Sequence, residues 1–238
     1  MFADEEAALL VAAAATPAEL ERLVVARTGG VPLELLLGYA EFCGLRVAVA
    51  PGVFVPRRRT ALVVERATDL LRPGAVVLDL CCGTGAIGAA LAARVPGLEV
   101  WASDVDPDAV ACARRNLDPA RVLEGDLYDA LPDHLRGRVD VAVANAPYVP
   151  SAAIARMPPE AREHEHRVAL DGGADGLALQ ARVAAGAPDW LAPGGALLVE
   201  TSDRQAAGTL DLLRRAGLET ELVTDEEVGG TVAIGRRR

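Results

Sequence analysis

Between Val76 and Gly88 the chain reads Val-Val-Leu-Asp-Leu-Cys-Cys-Gly-Thr-Gly-Ala-Ile-Gly. An apolar run of strand length carries Asp79 near its end. Glycines follow at Gly83, Gly85 and Gly88, and an Ala-rich helical segment opens directly behind them. The pattern is strand, tight turn, helix. Glycine tolerates φ > 0 and has no Cβ, so a ligand can press against the backbone of such a turn while helix N–H groups point at it. A nucleotide-like cofactor suits that geometry. A glycine-rich turn is also an ordinary strand-to-helix connection, so the surroundings have to decide.

From Ala75 onwards, apolar strand-like runs alternate with helical patterns. Strands are expected near 75–80, 98–103, 121–124, 139–144, 195–200, 218–224 and 231–235. Helices are expected near 86–94, 107–116, 176–190 and 204–216, with a short one near 127–135. This alternation defines an α/β chain with a Rossmann-like, doubly wound seven-stranded sheet, whose ligands lie at the carboxyl ends of the strands. The last two strands are close enough to pair antiparallel at an edge. Ahead of this unit, residues 4–29 read as two short helices broken at Thr16-Pro17, a cap followed by a proline in the first turn. A further helical piece leads to Gly38, and Tyr39–Val49 reads as a hairpin around Gly44. The division is a small helical and hairpin region over 1–52, packed directly on a domain over 53–238. Residues 149–175 form the one long connection expected to be irregular.

About 20 residues beyond the first glycine, a second apolar run ends in Asp104, placed to accept both hydroxyls of a ribose. That spacing fits a nicotinamide fold as well. Asn145-Ala146-Pro147-Tyr148, which closes the run Val139–Ala144, does not. An Asn-x-Pro-aromatic element there is used by enzymes that methylate planar nitrogens with S-adenosylmethionine.

These residues resemble the HemK/PrmC family, class I methyltransferases that methylate the side-chain amide of glutamine in peptide-chain release factors. The similarity runs from about Pro32 to Glu200. It takes in Val55-Pro56-Arg57, the glycine loop, Asp104, Gly125-Asp126, Asn145–Tyr148, Ala169–Gly173 and Pro193-Gly194-Gly195. The chain departs from the family pattern at several points. Ala146 replaces a proline, Arg57-Arg58-Arg59-Thr60-Ala61 stands for Arg-Pro-Glu-Thr-Glu, and His166 replaces the proline of Glu-Pro-Arg. The N-terminal helical region is also shorter.

The resemblance implies roles. Asn145 and the Ala146 carbonyl would accept the N–H groups of the acceptor amide, Pro147 would stiffen the turn, and Tyr148 would cover the amide plane. S-adenosylmethionine, leaving as S-adenosylhomocysteine, would be held by Gly83 and Gly85 at its methionine and ribose portions and by Asp104 at its ribose hydroxyls. Asp126 and Leu127 would lie by the adenine, and Asp79 would steady the loop or the amino group. Cys81, Thr84, Asn145, Phe54 and Thr60 complete the cofactor set. No metal is required. Arg57, Arg58 and Arg59 border the site and suit an acidic surface or a carboxylate-bearing small molecule.

The same residues also admit a small-molecule N-methyltransferase, a methyltransferase acting on exocyclic base nitrogens, a nicotinamide oxidoreductase and a cofactor-binding module without catalysis. A net charge of −10 opposes a broad nucleic-acid footprint. No apolar run reaches the roughly 20 residues of a membrane span, and the start Met1–Glu6 is acidic where a signal peptide would be basic. A cytoplasmic enzyme is expected. The four cysteines show neither disulfide nor paired C-x-x-C spacing, and His164 and His166 have no pattern of further ligands around them.

Overall fold

The computed structural model describes residues 3–238. The N-terminal helices are α1 (Ala3–Ala13) and α2 (Pro17–Thr28). Thr16 caps α2 through its hydroxyl, which accepts from the Glu19 N–H at 3.2 Å, and Pro17 fills a first-turn position that needs no donor. A short helix α3 (Leu33–Leu37) ends on left-handed Gly38, and the hairpin β1 (Tyr39–Phe42) and β2 (Leu45–Ala48) follows. Its loop residues Cys43 and Gly44 both have positive φ, 51° and 82°. Two such residues give the tight turn whose twist matches paired strands.

The main sheet has seven strands in the order β5-β4-β3-β6-β7-β9-β8. These are β3 (Val76–Leu80), β4 (Glu99–Asp104), β5 (Val122–Glu124), β6 (Val139–Ala144), β7 (Leu191–Glu200), β8 (Glu219–Asp225) and β9 (Gly230–Arg236). Strands β3 to β7 run parallel, and β9 pairs antiparallel with both β7 and β8. Every residue of β3 is buried, because helices cover both faces. Val77 points to α4 (Ala61–Thr68) and α5 (Ala86–Arg94), while Leu78 and Leu80 point to α8 (Ala178–Trp190) and α9 (Ala206–Arg215). Each such fully buried side chain contributes about 1.5–3 kcal/mol. The chain runs outward from β3 through β4 to β5 and then returns to place β6 on the other side. A ligand crevice is expected at this reversal.

The hairpin shares the main core, since Phe42 and Val47 pack in the same cluster as α4 and α5. Asn116 fastens it further. Its amide accepts from the Ala48 N–H at 2.8 Å and donates to the carbonyls of Ala48 and Thr84 at 2.9 and 2.8 Å. The hairpin and the glycine loop are therefore tied through one side chain.

Two expectations are corrected. Residues 149–175 are not irregular throughout: they hold a 3₁₀ segment at Ser151–Arg156, the helix α7 (Pro159–His164) and a 3₁₀ turn at Arg167–Ala169. Prolines at 150, 158 and 159 partition the stretch into turns too short to show a helical period. The helix expected near 127–135 is only a 3₁₀ turn at Asp133–Leu135.

Candidate active site

The carboxyl ends of β3 to β6 open into a cavity at the reversal of strand order, where sheets of this kind bind their ligands. Cys81, Gly83, Thr84, Asp104, Asp126, Leu127, Asn145, Phe54 and Thr60 all line it. Gly83 has φ 54°, and the nearest atom to a Cβ built there is 3.9 Å away on Phe54. The turn therefore presents bare backbone to the cavity. Asp104 organises this backbone. Its Oδ2 accepts from the Gly83 N–H at 2.8 Å and its Oδ1 from the Asp106 N–H at 3.0 Å. Each oxygen keeps a further lone pair for a ligand hydroxyl. Burial pushes the Asp104 carboxyl above its usual range, while the backbone N–H groups of Asp106, Gly83 and Val105 oppose that push.

Two residues of the expected set stand elsewhere. Gly85 does not line the cavity: a Cβ there would lie 2.8 Å from Leu117 Cδ1 and 3.2 Å from Ala113 Cβ. Helix α6 (Pro107–Ala113) and the residues behind it pack against that point, and φ at Gly85 is 73°. Glycine is required here by backbone conformation and helix packing. Gly85→Ala is expected to cost about 2–4 kcal/mol of stability, measurable as a drop in the denaturation midpoint.

Asp79 lies beneath the loop, 1% exposed, with Oδ2 accepting from the Gly88 N–H at 2.9 Å and Oδ1 unpartnered among the described residues. It holds the first turn of α5, directly behind the loop. Burial pushes its carboxyl from 3.8 up to about 7. Between those two values the folded protein holds a proton that the unfolded chain has released, so raising the pH through this window favours unfolding. Asp79→Asn removes that titration. Its stability relative to wild type is expected to rise as pH goes from 3.8 to about 7, read from urea midpoints at each pH.

Val53, Ser103, Asp106, Val168, Ala169 and Leu179 also line the cavity, and sequence reasoning gave none of them a place in the site. Ser103 and Asp106 flank Asp104, and that adjacency was the available signal. Val168 and Ala169 arrive from the long connection, which no local pattern attaches to the sheet. His166 and Glu165 fasten this segment. His166 Nδ1 lies 2.7 Å from Asp106 Oδ2, and Asp106 holds the imidazole above its usual range. Buried Glu165 accepts from the Val55 N–H at 3.1 Å and from Arg57. His164 contributes its carbonyl to the Gly52 N–H. The two histidines do not converge on one point, whereas Asp106, Asp108 and His166 do group together.

A second cavity, lined by Asn145, Ala146, Pro147, Tyr148, Arg57, Arg59 and residues of α7, adjoins the first. Both are walled by Phe54, Asn145, Pro147 and Ala169. The Asn145 Nδ2 donates to Thr60 Oγ1 at 3.3 Å, which leaves the Asn145 oxygen as the free acceptor at the junction. Thr60 is 3% exposed and is held at the end of the Arg58–Thr60 turn. The arginines are not a free cationic patch. Arg57 pairs with Glu165 and Arg59 with Glu200, leaving Arg58 as the exposed member of the three.

Parallel strands in this order, a single antiparallel strand β9 inserted between β7 and the edge strand β8, a glycine loop under a cavity and an Asn-x-Pro-Tyr turn at its inner end define the class I methyltransferase fold. The sequence model of the methyltransferase small domain family matches residues 44–163. A release factor glutamine methyltransferase of Geobacter sulfurreducens is 43% identical over 182 residues, covering 75% of this chain and 63% of that protein. One from Streptomyces coelicolor is 42% identical over 189 residues, covering 77% and 67%. A 4-amino-L-phenylalanine/4-methylamino-L-phenylalanine methyltransferase of Streptomyces pristinaespiralis is 38% identical over 183 residues, covering 73% and 63%. Among solved structures, a methyltransferase from Pyrococcus furiosus superposes with a TM-score of 0.60 at 18% identity, over 93% of this chain and 99% of that one. The chain spans about two thirds of the length of the curated relatives it matches. It belongs to the release factor glutamine methyltransferase family, within the methyltransferase small domain proteins.

Proposed function

We propose that this protein transfers a methyl group from S-adenosylmethionine to the side-chain amide nitrogen of a glutamine in a peptide-chain release factor. One observation carries the reading. The cavity over the glycine loop and the cavity beside Tyr148 meet at Asn145 and Pro147, so a donor in one and an amide in the other face each other across a single turn.

The donor supplies a methyl group made electrophilic by its sulfonium. The protein's own residues do the rest by holding and orienting. Gly83 offers backbone, Asp104 offers carboxylate oxygens to ribose hydroxyls, and Asp126 and Leu127 flank the adenine side. A glutamine amide nitrogen is a poor nucleophile because its lone pair is delocalised into the carbonyl. Acceptors on both N–H groups, the Asn145 oxygen and the Ala146 carbonyl, favour density on nitrogen and fix its direction. Thr60 keeps Asn145 in the accepting orientation. Burial and the nearby Glu200 charge push the Tyr148 hydroxyl up to about 12, so it stays neutral and serves as a wall and donor. Most of the catalysis is then positioning of two bound reactants. Pro147 supports this by restricting Ala146 to an extended backbone.

In this reading residues 1–52 dock the acceptor and 53–238 form the catalytic domain, working in the cytoplasm where release factors act. No helix of the described residues is long and apolar enough to cross a membrane. The test is methyl transfer from labelled S-adenosylmethionine to a purified release factor. Label is expected on the intact factor and lost when its loop glutamine is changed to alanine. A second reading, an amine-bearing small molecule as acceptor, is favoured by the S. pristinaespiralis relative. Labelling of an aromatic amine in preference to the release factor would support it instead.

A further inference from the structure

Glu200 ends strand β7 and is fully buried, and the only side chains its carboxylate meets among the described residues are Tyr148 and Arg59. Its backbone pairs with Val232 on β9, and its carbonyl accepts from Gln180 at 3.4 Å. The carboxylate looks the other way. Oε1 accepts from the Tyr148 hydroxyl at 3.2 Å and from the Arg59 Nε at 3.1 Å, while Oε2 is buried with no hydrogen-bond partner among the described residues. The same Arg59 guanidinium stands 5.9 Å from the centroid of the Tyr148 ring.

Burying a carboxylate is costly, and leaving one oxygen unpartnered adds to the cost. A glutamine or a leucine would fill the position at less expense if filling were all that was needed. Both groups that Glu200 does hold, Tyr148 and Arg59, line the acceptor cavity. We infer that Glu200 is a positioning residue for methyl transfer: one buried carboxylate oxygen fixes the Tyr148 ring by its hydroxyl and Arg59 beside its face, presetting the wall against which a planar acceptor lies. The inference rests on the acceptor reading above. It concerns residues that do not line the donor cavity, so donor binding and acceptor use should separate.

The first measurement compares wild type, Glu200→Gln, Tyr148→Phe and the double variant in methyl transfer. Glu200→Gln keeps the shape but removes the charge that draws two donors to one oxygen. Each single variant is expected to lose about 10- to 100-fold in kcat/KM for the acceptor, the scale of a displaced reactant, with the affinity for S-adenosylhomocysteine unchanged. The double variant is expected to be no worse than the poorer single, because both changes cut the same link. Wild-type kinetics in Glu200→Gln, or effects that multiply in the double variant, would overturn the inference. So would an equal loss of cofactor affinity, which a merely structural role would produce.

The second measurement needs no acceptor. With [ζ-¹³C]tyrosine labelling, the Tyr148 hydroxyl proton should exchange slowly in wild type and fast in Glu200→Gln. Fast exchange in wild type contradicts the inference. If the release factor is not methylated but this slow exchange is present, the acceptor reading fails and the positioning role stands. Should Glu200→Gln not fold, Tyr148→Phe and Arg59→Lys test the same link from its other ends. Unchanged kcat/KM in both would then overturn it.

Discussion

Replacing Asn145 by alanine is expected to lower turnover roughly 10²-fold or more, the scale on which positioned polar groups stabilise a transition state, with cofactor affinity nearly unchanged. The side chain stands where the two cavities meet, and its amide nitrogen donates to Thr60 while its oxygen has no partner among the described residues and is open to an acceptor N–H. Alanine removes that oxygen and leaves the glycine loop, Asp104 and the loop hydrogen bonds in place. Single-turnover rates and titration with S-adenosylhomocysteine separate the two effects. A variant with wild-type turnover removes Asn145 from the chemistry. A variant that has lost cofactor affinity as well makes it a donor-binding residue.

The second large effect is on the donor side. Asp104→Ala is expected to weaken S-adenosylmethionine binding by about 1.5–3 kcal/mol, the scale of hydrogen bonds to a charged group. The carboxylate also holds the Gly83 and Asp106 N–H groups, so alanine frees the loop as well as removing the ribose partner. Asp104→Asn separates these contributions, since its single oxygen can still accept one of the two backbone donors. Calorimetric titration should rank the affinities as wild type, then Asn, then Ala. Equal affinities for all three would place the ribose elsewhere.

The strands of the main sheet were legible because each is a short apolar run closed by turn residues, and seven such runs at α/β spacing admit few arrangements. The lining of the first cavity was legible for the same reason. Gly83 follows β3 closely and Asp104 ends β4, where local sequence and tertiary position coincide. Gly85 shows the limit of that reasoning, because a glycine in a loop motif looks the same whether a ligand or a neighbouring helix needs the space. Leu117 and Ala113 lie far along the chain from it and decide the matter.

The lining of the second cavity was legible only in part. Asn145 to Tyr148 announced themselves by type and order, but the pairing of Arg59 with Glu200 joins residues 141 positions apart. Read locally, three consecutive arginines are an exposed cationic patch. In the folded chain two of them neutralise buried carboxylates, which long-range packing alone determines. The same holds for Val168 and Ala169, delivered to the cavity by the fastening of Glu165 and His166.

In the proposed reaction, donor and acceptor amide meet at Asn145 across one turn. A compound that joins adenosine to a glutamine side-chain amide through a short linker in place of the sulfonium and methyl would occupy both cavities at once. Binding is measured by calorimetry to wild type and to Asn145→Ala. Such a compound is expected to bind wild type more tightly than S-adenosylhomocysteine by roughly 10²-fold or more, the lower end of the range by which transition-state analogues outbind substrates. It should compete with donor and acceptor alike, and Asn145→Ala should lose most of the gain. Binding no tighter than that of S-adenosylhomocysteine, or equally tight binding to Asn145→Ala, would contradict the account.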